Sequence, residues 1–124
     1  MEHSQEFLDI VEDAKSRIRE ISVADALERS KDGAVLVDVR EDSEWNDGHA
    51  SEAVHLGRGV IERDIVGEYP DKATELILYC GGGYRSALAA DMLQKMGYTN
   101  VWSMAGGWSA WKEAEAPIEW GIPF

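Results

Sequence analysis

Near its start the chain carries an apolar stripe. Phe7, Val11, Ala14, Ile18 and Ile21 recur at alternating intervals of four and three with acids and bases between them, which predicts an amphipathic helix over residues 4–20. "SVADALERSKDG" then predicts a second helix, with Ser22 as N-cap, Asp25 in its first turn and Gly33 as its stop. The pattern changes at "AVLVDV", residues 34–39, where apolar and β-branched side chains fill nearly every position, as in a strand buried on both faces. "SEWNDG" reads as a short helix capped by Ser43, "AVHL" at 53–56 as a strand, and "GVIERDIVGEY" as a helix or helical turn. "ELILYC" at 75–80 is again a strand. Over residues 86–96, Leu88, Met92, Leu93 and Met96 share one side of a helix, Ala87, Ala89 and Ala90 allow close approach, and Gly97 ends it. "NVWSMAG" supplies a last strand and "GWSAWKEA" a last helix.

Strands alternating with helices predict an α/β architecture in three layers, because each parallel return needs a crossover and the crossover is usually helical. The sheet should be mainly parallel. A chain of 124 residues with 44% apolar content suits one compact unit, and no repeat, low-complexity tract or Pro/Gly-rich linker interrupts it. We therefore expect an N-terminal helix (1–20) packed on a single domain (21–124).

Charge narrows the function. Twelve Lys and Arg against 24 Asp and Glu give a formal net charge of −12, which repels phosphate backbones and anionic lipid surfaces, so neither nucleic acid nor membrane is an expected partner. A small anion can still bind where local amides and an arginine outweigh a distant, screened field. The sequence has neither an apolar run of spanning length nor a secretion-type leader, and its one cysteine suits a reducing interior. A cytoplasmic location is the expectation.

That cysteine, Cys80, closes the strand "ELILYC" and precedes "GGGYRS". In an open parallel sheet, ligands bind beyond the carboxyl ends of the strands, where Cys80 falls. Gly81, Gly82 and Gly83 permit a sharp turn in which successive backbone N–H groups converge on the sulfur, and the following helix aims its positive end at the same point. Both effects favour a thiolate, so Cys80 is the candidate nucleophile. Tyr84 completes the loop. Arg85 offers a planar fork for a tetrahedral oxyanion, or alternatively an ion pair that braces the loop. Ser86 can cap the helix or donate to the sulfur.

At these residues the chain resembles the rhodanese (thiosulfate sulfurtransferase) family, in its small single-domain form, across about residues 20–118. "LVDVREDSEWNDGH" is similar to the family's first signature, "CGGGYRS" to its active-site loop and "AGGWSAW" to its C-terminal signature. The resemblance implies a three-layer rhodanese-like fold with a mainly parallel central sheet of about five strands and helices on both faces. It implies that Cys80 carries a persulfide whose outer sulfur is held by the amides from Gly81 to Arg85. Sulfane sulfur would pass from thiosulfate or a related persulfide donor to a thiol or cyanide acceptor, or to a protein sulfur acceptor, without a cofactor. The alternative within the same fold is a persulfide carrier or interaction domain that turns over thiosulfate poorly. Phosphatases and arsenate reductases of related fold use a loop one residue longer, so the six residues from Cys80 to Arg85 favour sulfur.

One stretch departs from the family pattern. After "GH" this chain reads "ASEA", with Glu52 where a turn glycine is usual, and a connection of another shape is expected because a side chain is strained at positive φ. Asp38 and Arg40 lie at a strand end on the same rim as Cys80 and are read as supporting braces, with Arg40 spaced to pair with Glu44. Arg58, and with it Arg63, is a candidate for the mouth of the pocket, with solvated surface as the other reading. His49 and His55 have no spacing that requires a catalytic pair with Cys80, and one Cys with three scattered His offers no metal site. Trp108 and Trp111 read as packing residues, and Gly106 and Gly107 as the turn into the last helix.

Overall fold

A computed structural model describes residues 2–120. In chain order it comprises α1 (Gln5–Lys15), β1 (Arg19–Ile21), α2 (Val23–Lys31), β2 (Val35–Asp38), α3 (Asp42–Asn46), β3 (His49–Ala50), β4 (Val54–His55), α4 (Ile61–Glu68), β5 (Leu76–Tyr79), α5 (Tyr84–Lys95), β6 (Val101–Met104), α6 (Gly107–Glu113) and β7 (Ile118–Glu119). Five strands form one parallel sheet in the order β1-β6-β5-β2-β4, and β3 pairs antiparallel with β7 in a separate ribbon. The strand that leads into the cysteine, β5, is central. Among the described residues no helix is long and apolar enough to cross a membrane.

Strand periodicity divides the core in two. Val37, Leu76, Leu78 and Cys80 point to one face, where they pack with Ile61 and Ile65 of α4 and Ala89, Ala90 and Leu93 of α5. Leu36, Ile77 and Tyr79 point to the other, against Ala26 of α2 and Trp111 of α6. Both faces are covered, which is why "AVLVDV" and "ELILYC" are apolar throughout rather than alternating. The architecture is thus α/β in three layers around a five-stranded parallel sheet.

Several elements differ from the sequence expectation. The first helix ends at Lys15 instead of running to residue 20, and Arg19–Ile21 becomes the edge strand β1 beside β6. Two cations on one indole help hold that edge, since the Arg19 and Arg29 guanidinium groups lie 4.2 and 4.4 Å from the Trp102 ring. Helix α3 is capped at Glu41 rather than Ser43, and the Glu41 N–H donates to Glu44 at 2.9 Å. Helix α5 starts at Tyr84, two residues before Ser86. Its buried face is made by Ala87, Ala89, Ala90 and Leu93, while Met92 is 36% exposed. The alanines are needed because α5 is packed between the sheet and α1, where thin side chains let helices approach.

Glu52 sits at φ +66, so the connection after "GH" places a side chain in the left-handed region rather than avoiding it. The turn is closed by the Ala53 N–H donating to the Ala50 carbonyl at 3.1 Å, and the strained glutamate is exposed.

Candidate active site

Cys80 follows β5 at the carboxyl edge of the sheet and is 1% exposed. Its Sγ accepts the Gly83 N–H at 3.1 Å, and among the described residues this is the one backbone amide donating to it. Gly83 is the N-cap of α5 and has φ +102, a conformation that turns its N–H back toward the sulfur at little steric cost for glycine. The Ser86 hydroxyl lies 3.5 Å from Sγ and 2.8 Å from the hydroxyl of Ser103 on β6. Both serines are fully buried. Ser103 was not singled out from the sequence, although a small polar residue inside the apolar strand "VWSM" was a usable signal.

The loop is held from behind by the turn into α6. Trp108 N–H donates to the Cys80 carbonyl at 2.7 Å and Ser109 N–H to the Gly81 carbonyl at 3.1 Å. Gly106 and Gly107 both have positive φ, which lets the N-terminus of α6 meet the loop backbone directly. The cysteine loop and the "AGGWSAW" segment therefore meet backbone to backbone.

Of the two readings of Arg85, the ion pair is the contact the structure contains. The Arg85 guanidinium donates to both Glu44 oxygens at 2.8 and 3.1 Å, fork to fork, and folds over Gly81. Hydrogen bonding to Arg85 holds the Glu44 carboxyl down to about 2, against the opposing effect of partial burial, and raises Arg85 above its ordinary value in return. The pairing expected between Arg40 and Glu44 is absent among the described contacts because each has a better partner. Arg40 is buried and bonds both oxygens of Asp38 at 2.8–3.1 Å, with a further bond to the Gly48 carbonyl at 2.7 Å. Burial pushes Arg40 down, but hydrogen bonds to Asp38 and its charge outweigh this and raise it. The guanidinium also lies 4.7 Å from the Trp108 ring, so Asp38 and Arg40 brace the α6 entry rather than touch the sulfur.

Arg58 does not reach the mouth of the Cys80 cleft. It faces a separate hollow with Arg40, Asp42 and His55, and approaches Glu62 at 3.4 Å. Arg63 is paired with Asp64 on an exposed surface. His49 is buried, stacked on Trp45, with Nδ1 2.9 Å from the Trp45 carbonyl; His55 has Nε2 2.8 Å from the Arg40 carbonyl. Neither histidine lines the cleft over Cys80. Among the described residues no group of three or more His, Cys, Asp and Glu is arranged to hold a metal ion.

A cleft of about 500 Å³ opens above Cys80, which puts it in the range of small-molecule sites. Gly82, Tyr84 and Arg85 of the loop and Glu44 of α3 line it, together with His3 and Phe7 from the N-terminal segment. Neither of the last two carries a sequence signal for the site, since Phe7 fits the apolar stripe of the first helix and His3 lies before it. An exposed-to-intermediate aromatic two turns before the stripe's buried end carries no mark of its own.

Comparison with known proteins agrees with this geometry. The Rhodanese-like domain family matches residues 22–114. The thiosulfate sulfurtransferase GlpE of Haemophilus influenzae is 34% identical over 102 residues, covering 82% of this chain and 94% of its own. Among solved structures, a Rhodopseudomonas palustris protein of unknown function, called a possible tyrosine phosphatase, is 32% identical with a TM-score of 0.80, covering 96% of this chain and 98% of its own. The polysulfide-sulfur transferase homodimer of Wolinella succinogenes is 25% identical, also with a TM-score of 0.80, covering 91% of this chain and 86% of its own. With a cysteine loop braced by its own first and last signature segments, and a family match over most of its length, the chain belongs to the rhodanese-like family.

Proposed function

We propose that this chain is a sulfurtransferase working through a Cys80 persulfide. The Cys80 thiolate attacks the outer sulfur of thiosulfate or another sulfane donor. The donor's S–S bond breaks, sulfite or the corresponding thiolate departs with the electron pair, and Cys80 is left as a persulfide. A thiol or cyanide acceptor then attacks the outer sulfur and the pair returns to Sγ. The N–H groups from Gly81 to Arg85 serve the terminal sulfur's negative charge as an oxyanion hole serves oxygen. The observation that carries this reading is the Gly83 N–H on Sγ at the base of a ligand-sized cleft. Intact-mass spectrometry after thiosulfate or polysulfide treatment tests it. A gain of about 32 Da, reversed by cyanide and absent from Cys80→Ser, is expected for one sulfur on a nucleophilic cysteine; no adduct from any sulfane donor overturns it.

Two other readings have specific support. A carrier that receives sulfur from a protein or organic persulfide, and turns over thiosulfate poorly, is favoured by the engagement of Arg85 with Glu44, which leaves that cation unavailable to a dianion. It predicts a persulfide adduct with negligible thiosulfate:cyanide turnover. A phosphatase is suggested by the name given to the Rhodopseudomonas relative. Aryl-phosphate hydrolysis calls for a proton donor to the leaving oxygen, and the carboxyl lining the cleft, Glu44, is held ionised near 2 and already paired. Sulfur chemistry needs no such acid, since thiolate and sulfite leave unprotonated.

A further inference from the structure

The cleft over Cys80 is walled on one side by three aromatic rings. Phe7 and Tyr84 meet edge to face with centroids 6.2 Å apart, and the His3 ring lies 5.0 Å from each. Such tilted and edge contacts are the preferred geometry of aromatic pairs. His3 and Phe7 precede the segment that matches the family, residues 22–114, and Tyr84 lies within it, so two of the three rings come from outside the matched segment. The helix that carries Phe7 is firmly seated. Val11 and Ala14 are buried against α5, and Arg17, just beyond the helix, bonds Asp91 of α5 at 2.8 and 3.0 Å and Asp13 at 2.8 and 3.1 Å. Gln94 of α5 donates to the Arg17 carbonyl at 2.9 Å, and the Lys15 ammonium stands 5.5 Å from the Tyr84 ring.

The one ion pair of the described cleft lining is closed on itself. Among the described lining residues, the Glu44 carboxylate and the Arg85 guanidinium satisfy each other, which leaves the Cys80 sulfur without a cation of its own in the cleft. A dianion entering this cleft meets no unpaired guanidinium, and it approaches a chain of net charge −12. An uncharged apolar body, by contrast, gains contact with three rings.

Resting on the sulfurtransferase reading above, we propose that Phe7, with His3 and Tyr84, selects the sulfur acceptor, and that the acceptor is a low-molecular-weight organic thiol with an uncharged aromatic or branched aliphatic body. Its thiolate attacks the outer sulfur of the Cys80 persulfide. The bond from that sulfur to Sγ breaks, Cys80 regains its thiolate, and the product leaves as an organic persulfide with the apolar group still against the wall. The cleft volume of about 500 Å³ suits a molecule of this size rather than a protein surface.

The test uses the full chain loaded with one sulfur on Cys80 and follows discharge by phenylmethanethiol and by 2-mercaptoethanesulfonate, thiols of similar basicity and opposite character. Wild type is expected to favour the phenyl compound by about tenfold, the scale of one well-filled apolar contact. Phe7→Ala should bring the ratio toward one by slowing the phenyl thiol alone, Phe7→Leu should fall between, and Ile10→Ala, on the exposed side of the same helix, should leave the ratio unchanged. A ratio near one in wild type, or equal slowing of both thiols in both Phe7 variants, overturns the inference while leaving sulfur transfer standing. Failure of Cys80 to take up sulfur from any sulfane donor overturns both.

Discussion

Gly107 meets the carbonyl group of Cys80 so closely that a Cβ on Gly107 would lie far inside van der Waals contact with the carbonyl oxygen and 3.0 Å from its carbon. The same glycine has φ +53. Gly107→Ala therefore has to move either α6 or the Cys80 loop. We expect a loss of about 1–3 kcal/mol in urea unfolding, as for other overpacked sites, together with a fall in persulfide formation. Unchanged stability and unchanged sulfur uptake would show that the loop does not depend on this approach.

Glu44→Gln tests whether Arg85, released from its ion pair, can contact a bound donor. With the carboxylate gone, the guanidinium is released toward the cleft, and KM for thiosulfate should fall about fivefold, the ratio set by roughly 1 kcal/mol for a solvent-accessible charge contact. The turnover number should change little. Steady-state thiosulfate:cyanide kinetics measure it, and an unaltered KM would mean that Arg85 cannot reach a bound donor.

The same ion pair gives a pH signature. Arg85 holds the Glu44 carboxyl near 2, compared with 4.5 for the free side chain. Because the folded value is the lower one, the pair's contribution is fully present above about 4.5 and is lost as pH falls through about 2. Its size should not exceed about 1 kcal/mol, since the Glu44 and Arg85 side chains are 36% and 32% exposed. Urea midpoints of wild type and Glu44→Gln should differ at neutral pH and converge toward about pH 2. A gap that persists or widens in acid contradicts the pairing.

Glu52 is a residue where stability can be gained. A left-handed glutamate is strained, and the side chain is exposed, so Glu52→Gly relieves the backbone without removing packing. The expected gain is about 1 kcal/mol or less, because the added freedom of glycine in the unfolded chain offsets part of the relief. Thermal unfolding checks the sign.

Much of this molecule was legible from local pattern. "AVLVDV" and "ELILYC" announced buried strands, Ser22 announced the start of α2 through its bond to the Asp25 N–H, and the glycines after Cys80 marked the turn now closed by Gly83 on Sγ. What pattern did not reveal was short or depended on a distant partner. β1 is three residues long with two of them charged and exposed, too short for an alternation to register, and it was absorbed into the preceding helix stripe. β3 and β7 have two residues each and exist only because His49 and Ala50 find Glu119 and Ile118 across the fold.

By itself the sequence determined the layer order, the position of the thiol at a strand's carboxyl end and the backbone freedom around it, since each follows from side-chain periodicity and glycine placement within a few neighbours. Tertiary structure alone decided the partners. Arg85 took Glu44 rather than an open cleft, Arg40 took Asp38 and Gly48, and Phe7 arrived over Cys80 because α1 docks on α5. Long side chains with several acids within reach are sorted by geometry and burial, and those are properties of the folded chain rather than of any stretch along it.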